Sequence, residues 1–168
     1  MSKNRNCIYF VEGECEEALI SALKAAPAVI TPGKTKVLNV LTEEITKSRL
    51  IMISPGTTVV FVFDTDVPIT DRLKRNISRI EQYCTSSKLI FLPQVRNLED
   101  ELVRCTDISK ITELTKSKST SNFKADFCKV SNLRATLTKH QLDVLKLWTM
   151  NPPEPFTFIP ANSSAIKV

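Results

Sequence analysis

Val59-Val60-Phe61-Val62-Phe63-Asp64-Thr65-Asp66 is the stretch on which the fold turns. Five consecutive β-branched and aromatic residues read as a strand buried on both faces, and the strand ends in two carboxylates. A second stretch repeats the design: Ile8-Tyr9-Phe10-Val11-Glu12-Gly13-Glu14-Cys15-Glu16. Acidic side chains delivered to the carboxyl ends of buried strands are what an open α/β sheet uses to bind ligands. Oxygen-only clusters select hard divalent cations, and Mg²⁺ commonly takes one or two carboxylates together with substrate phosphates. The two stretches therefore point to metal-assisted phosphoryl chemistry.

Working outward, strands and helices alternate. The pattern predicts a strand over 7–11 and a helix over 14–25, with Ala18, Leu19, Ala22 and Leu23 at helical spacing. A strand over 36–40, a short helix over 43–50 and the main strand over 57–63 follow. Next come a helix over 71–83 and a strand over 88–92 that Pro93 should stop. After Pro93 the pattern turns helical, over 98–105, 108–114 and 141–148. The Ser/Thr/Lys-rich segment 116–122 reads as a mobile loop. Residues 151–168 read as an extended tail, either packed along the domain or serving as a docking arm. Strand–helix alternation predicts an α/β fold with a mainly parallel sheet flanked by helices and a helical C-terminal part. One domain over 1–150 is expected, its core over 7–105 and a basic helical extension over 106–150.

At 168 residues the chain suits a single domain with a proper core. No apolar run approaches a membrane span, and Met1–Arg5 leads into too short an apolar run for a secretory signal, so a cytoplasmic location is expected. The five cysteines (Cys7, Cys15, Cys84, Cys105, Cys128) are scattered without a C-x-x-C pair. That spacing argues for reduced thiols over a zinc site or disulfide framework. Cys15 reads as a small residue facing the sheet. The single histidine, His140, reads as a solvated helix position.

Net charge is +5, and residues 104–146 hold nine basic side chains against four acidic ones, which accounts for all of that surplus. A polyanion gripped by this basic part and presented to metal on the acidic part fits the asymmetry; Lys116, Lys118, Lys124 and Lys129 are its candidate contacts. A solvated helical face explains the same charges without a ligand.

Glu12-Gly13 ends a strand, where glycine allows a tight turn and close backbone approach to a phosphate or metal. Glu16 follows four residues later and can face the same crevice, although acidic residues in a first helical turn also suit the helix dipole. Asp64 and Asp66 have period-two spacing, so both should point to one side of the strand end. Carboxylates that close repel unless a cation lies between them.

The pairing of E-G-x-x-E on one strand tip with D-x-D on another resembles the Toprim domain, over roughly residues 7–105. The variant Val11-Glu12-Gly13-Glu14-Cys15-Glu16-Glu17 is most similar to the OLD-type and RloB-like nuclease branches. The resemblance implies Glu12, Asp64, Asp66 and Glu16 as catalytic metal ligands for Mg²⁺ or Mn²⁺. Asn97-Leu98-Glu99-Asp100-Glu101-Leu102 is similar to the acidic helix start of those branches, which adds Glu99 as a ligand and makes Glu101 a candidate. A basic residue near the scissile phosphate is also implied, with Lys124 and Lys129 as the candidates. The chain departs from the pattern at Val67-Pro68, where a glycine is usual, and at Glu101, where RloB-like proteins often carry tryptophan.

Of the chemistries that this resemblance implies, strand passage needs a tyrosine nucleophile on a second domain, and only Tyr9 and Tyr83 exist. Primer synthesis needs a zinc module and a larger body. Metal-dependent cleavage of DNA or RNA is what remains, and the resemblance to the nearer nuclease branches implies a role as the effector of a bacterial anti-phage defence system. An ATPase partner would be a separate protein, because this chain has no G-x-x-x-x-G-K-[ST] loop. The alternative is a non-catalytic Toprim-fold binding or regulatory subunit of a larger complex.

Overall fold

The computed structural model describes residues 6–168; the Met1–Arg5 segment considered above lies outside the described residues. Four parallel strands form one sheet in the order β2-β1-β3-β4. They are β1 (Cys7–Val11), β2 (Lys34–Val37), β3 (Thr58–Asp64) and β4 (Lys88–Gln94). The intervening helices are α1 (Glu14–Lys24), α2 (Lys47–Ile51) and α3 (Asp71–Tyr83). After the sheet come α4 (Leu98–Cys105), α5 (Thr112–Thr115), α6 (Thr120–Lys129), α7 (Leu133–Lys139) and a 3₁₀ turn at Ser163–Ile166. This is an α/β fold with helices on both faces of a parallel sheet. Among the described residues no helix is long and apolar enough to cross a membrane.

Strand alternation sorts the core into two layers. Tyr9, Val11, Val60, Val62, Ile90 and Leu92 face one way, toward Leu19, Ile20 and Leu23 of α1 and the C-terminal helices. Phe10, Val59, Phe61, Phe63 and Phe91 face the other way, toward Leu73 and Ile80 of α3. Phe10, Phe61 and Phe91 are register partners across β1, β3 and β4. Their rings meet edge-on with centroids 6.0 Å apart in each pair, a geometry worth roughly 1 kcal/mol per pair beyond area burial.

Several segments differ from the sequence expectation, each for a definite physical reason. Pro93 does not stop β4; it lies within the strand, opposite Phe63. β4 is a sheet edge, and at Phe91 the N–H points outward to Asn162 Oδ1 at 2.9 Å. Pro93 has the same parity, so its missing N–H costs the ladder nothing. The second strand is Lys34–Val37, shifted two residues early. The Asn39 carboxamide accepts the Leu41 N–H at 3.0 Å and turns the chain out of the sheet. The predicted helix over 43–50 shrinks to Lys47–Ile51, capped by the Thr46 hydroxyl. The predicted helix over 141–148 is a run of turns: Gln141 and Trp148 both take left-handed φ, 55° and 59°, and Asp143 Oδ1 accepts the Leu145 N–H at 3.0 Å.

The basic loop is shorter than expected, since the first turn of α6 starts at Thr120, inside segment 116–122. Of 108–114, only Thr112 onward is helical. The tail packs along the domain, with Phe156 and Ile166 buried in opposite layers and Asn162 bonding both Phe91 N–H and Leu89 carbonyl on the open edge of β4.

Asn76 on α3 holds the 38–46 connection. It is fully buried; its Oδ1 accepts the Ile45 N–H at 2.9 Å, and its Nδ2 donates to the Val40 and Glu43 carbonyls at 3.0 and 2.8 Å. Asn76→Leu orphans all three partners, so a loss of about 2–4 kcal/mol is expected in urea unfolding.

Candidate functional site

The carboxyl ends of β1 and β3 are neighbours because the two strands pair in parallel. Glu12, the first residue beyond β1, reaches across, and its Oε2 accepts the Asp64 N–H at 3.1 Å. That bond carries the Glu12 carboxylate to the tip of β3. Glu12, Glu16, Asp64 and Glu99 line one cavity of about 600 Å³, and Lys124 and Lys129 of α6 form part of its wall. Three separate elements besides the strand tips therefore converge here: α1 supplies Glu16, α4 supplies Glu99, and α6 supplies the lysines.

Gly13 does not use the backbone freedom expected of it. Its backbone is extended, with φ −158° and ψ −169°, which any residue adopts. A Cβ at this position would make an ordinary contact, 3.4 Å from the mobile end of Glu16 at Oε2, so the space here would also admit a small side chain.

Asp66 does not share the Asp64 cavity. β3 ends at Asp64, Thr65 turns inward to donate its N–H to the Gln94 and Arg96 carbonyls, and strand periodicity stops there. Asp66 lines an adjoining cavity of about 390 Å³ with Arg72 and Arg75. Glu12 lies between the two cavities and lines both. Lys116 and Lys118 lie elsewhere again, around a shallow depression beside Asp126, which Lys129 also reaches. Glu101 is absent from all these walls. It is buried in the core, where Oε1 accepts from Arg104 Nη2 at 2.6 Å and from the Trp148 N–H at 2.5 Å.

The electrostatics follow from crowding carboxylates in a buried place. Asp64 is only 7% exposed, and its Oδ1 has no hydrogen-bond partner. Burial, then the Glu12, Glu16, Asp66 and Glu99 charges, push its carboxyl up to about 9. Burial, reinforced by Glu12 and Glu99, likewise raises Glu16. Lys124 Nζ lies 3.8 Å from Glu99 Oε1, and that charge above all raises the lysine.

A hard divalent cation fits this donor set: every acidic ligand is oxygen, one buried oxygen is orphaned, and the local charge is unbalanced. Among the described residues no three His, Cys, Asp or Glu side chains are gathered into a ready-made cage. A cation held by one or two of these carboxylates, with waters filling its shell, does not need one.

Gln94 is a residue that sequence reasoning missed. It is the register partner of Asp64 on β4, has no exposure, and neither of its side-chain amide atoms has a partner. Register partners on parallel strands share a face, so two unsatisfied polar side chains sit side by side at the sheet end. Stopping β4 at Pro93 removed Gln94 from view; counting two residues further would have found it.

The crowding has a measurable consequence without any ligand. Asp64 has an ordinary value of 3.8 and a folded value of about 9, so between these limits the folded chain binds more protons than the unfolded one. Stability must then fall as pH rises through that window. Asp64→Asn removes this titration. The variant is expected to be about 2 kcal/mol more stable than wild type at pH 8 without metal, a Tm gain of roughly 5 °C. The gap should close toward pH 4, as followed by thermal denaturation.

Compared with protein-family models, with curated proteins and with solved structures, this chain matches none of them.

Proposed function

We propose that this chain is a divalent-metal-dependent nuclease of Toprim type, hydrolysing phosphodiester bonds of DNA or RNA. The observation that carries the reading is the group of four carboxylates, Glu12, Glu16, Asp64 and Glu99, around one cavity at the carboxyl end of a parallel sheet. Within it the buried Asp64 has an oxygen with no partner. Asp64 and Glu12 would hold Mg²⁺ or Mn²⁺, Glu16 and Glu99 would hold a second ion, and Asp66 would approach from the adjoining cavity. Bound there, the metal would neutralise the carboxylates, polarise a phosphodiester and supply hydroxide at neutral pH.

The chain's own groups account for the rest. Glu12 is oriented by the Asp64 N–H. Lys124 and Lys129 offer positive charge to a phosphate entering the same cavity. Neither lysine distinguishes DNA from RNA, because both grip only the backbone.

The test is a cleavage panel of single- and double-stranded DNA, transfer RNA and ribosomal RNA with Mn²⁺, repeated after chelation. Cleavage of at least one substrate, abolished by EDTA and restored by Mn²⁺, is expected. Calorimetry with Mg²⁺ and Mn²⁺ separates the alternative, since a non-catalytic subunit has no reason to bind metal at these carboxylates. Millimolar Mg²⁺ is expected to raise the wild-type Tm by roughly 2–5 °C and to leave Asp64→Asn unchanged.

A further inference from the structure

We propose that Cys15 and Cys128 form an oxidisable thiol pair, a disulfide site joining α1 to α6 at the rim of the carboxylate cavity. The two residues are 113 positions apart in sequence, yet their Sγ atoms lie 3.5 Å apart. Cys128 is the one exposed cysteine of the five, and Cys15 behind it is buried. Both line the cavity that holds Glu16 and Lys124. A sulfur pair at this separation needs only a short closure, to about 2.0 Å, to become a disulfide.

Hydrogen peroxide is the oxidant this arrangement suits. The Cys128 sulfur, open to solvent, attacks one peroxide oxygen; the O–O bond breaks, and hydroxide leaves and takes a proton to become water. Cys128 is then a sulfenic acid. The Cys15 sulfur attacks that sulfur, the S–O bond breaks, and the second hydroxide leaves as water with the Cys15 proton. Two thiols and one peroxide thus yield one disulfide and two waters.

The bond has a structural consequence at the cavity. Cys128 lies four residues after Lys124, so both are on one face of α6. Fastening Cys128 to α1 fixes the turn of helix that carries Lys124. The Cys15 thiol already donates to the Lys124 carbonyl at 3.6 Å. The disulfide forms or fails to form whatever the cavity binds, so the nuclease reading stands or falls separately.

The experiment treats reduced full-length protein with a small excess of hydrogen peroxide, alkylates the remaining thiols, and reads intact mass and non-reducing peptide maps. Wild type is expected to carry three alkyl groups where the reduced control carries five, with two hydrogen atoms lost to the disulfide, and to yield one cross-linked peptide pair containing Cys15 and Cys128, reversed by dithiothreitol. Cys128→Ser, a change at an exposed position, should keep all its remaining thiols. In Cys15→Ser, Cys128 should gain oxygen instead of forming an internal bond. Three results would overturn the proposal: Cys128 driven to sulfinic acid in wild type while Cys15 stays alkylated, a disulfide between any other pair or between two copies, or no oxidation at all.

Discussion

Asp64→Asn protein is expected to lose roughly 10³-fold in metal-dependent cleavage, measured as a single-turnover rate with Mn²⁺ at saturating enzyme. The substitution keeps the size of the side chain and removes its charge, so the fold should survive and indeed gain stability. Loss of catalysis with a raised Tm separates a site residue from a structural one, because a structural residue would lose both. Glu12→Gln should fall by a similar factor, since its carboxylate is carried to the tip of β3 by the Asp64 N–H. Lys124→Met should act differently, weakening substrate binding by about tenfold while sparing the metal-induced rise in Tm. Residual cleavage identical in wild type and Asp64→Asn would identify a contaminating nuclease and end the catalytic reading.

Glu101→Ala carries the second large effect, on stability. Its carboxylate is 1% exposed and takes hydrogen bonds from Arg104 and from the Trp148 N–H. Truncation leaves the buried Trp148 N–H without its acceptor and Arg104 without its charge partner, with only the Lys146 carbonyl still accepting from it, a loss of about 3–5 kcal/mol. For a chain of this size that lowers Tm by roughly 6–20 °C in a thermal melt. Glu101→Gln retains an acceptor and should cost much less. It should also leave metal-dependent cleavage intact, which a residue entering the site could not do. Equal cleavage loss in Glu101→Gln and Asp64→Asn would move Glu101 from the core to the site.

The two positions show how far the sequence could be read. Glu99 and Glu101 stand on the same acidic helix start, two residues apart, and composition treats them alike. On a helix that spacing turns the side chains about 200° apart, one toward the cavity and one toward Trp148. Trp148 reaches α4 only through a run of turns with left-handed residues at both ends, where helical periodicity had suggested a helix. A pattern of apolar positions cannot report a left-handed backbone, because Gln141 and Trp148 take it without glycine.

Other elements were legible for the opposite reason. β1 and α3 fall where their patterns put them, since β1 is an apolar run inside the sheet and α3 a long helix with one apolar face. The shift of β2 and the passage of Pro93 were hidden because neither shows in apolar periodicity: one turns on the Asn39 side chain bending the chain out of the sheet, the other on the open edge of β4. The D-x-D motif belongs to the same class. Period-two spacing holds only while the strand continues, and the Thr65 N–H bonds to Gln94 and Arg96 end it one residue too soon.

By itself, the order of residues determined that buried strands would end in carboxylates and that helices would cover them, since burial and periodicity are local properties of the chain. Which of those carboxylates meet was decided only by tertiary structure. Glu12, Glu16, Asp64 and Glu99 come from four elements, and parallel pairing of β1 with β3, with α1 and α4 packed on one face, brings them together. Partners far apart in sequence leave no local trace, so the same packing alone set Cys15 against Cys128 and Gln94 beside Asp64.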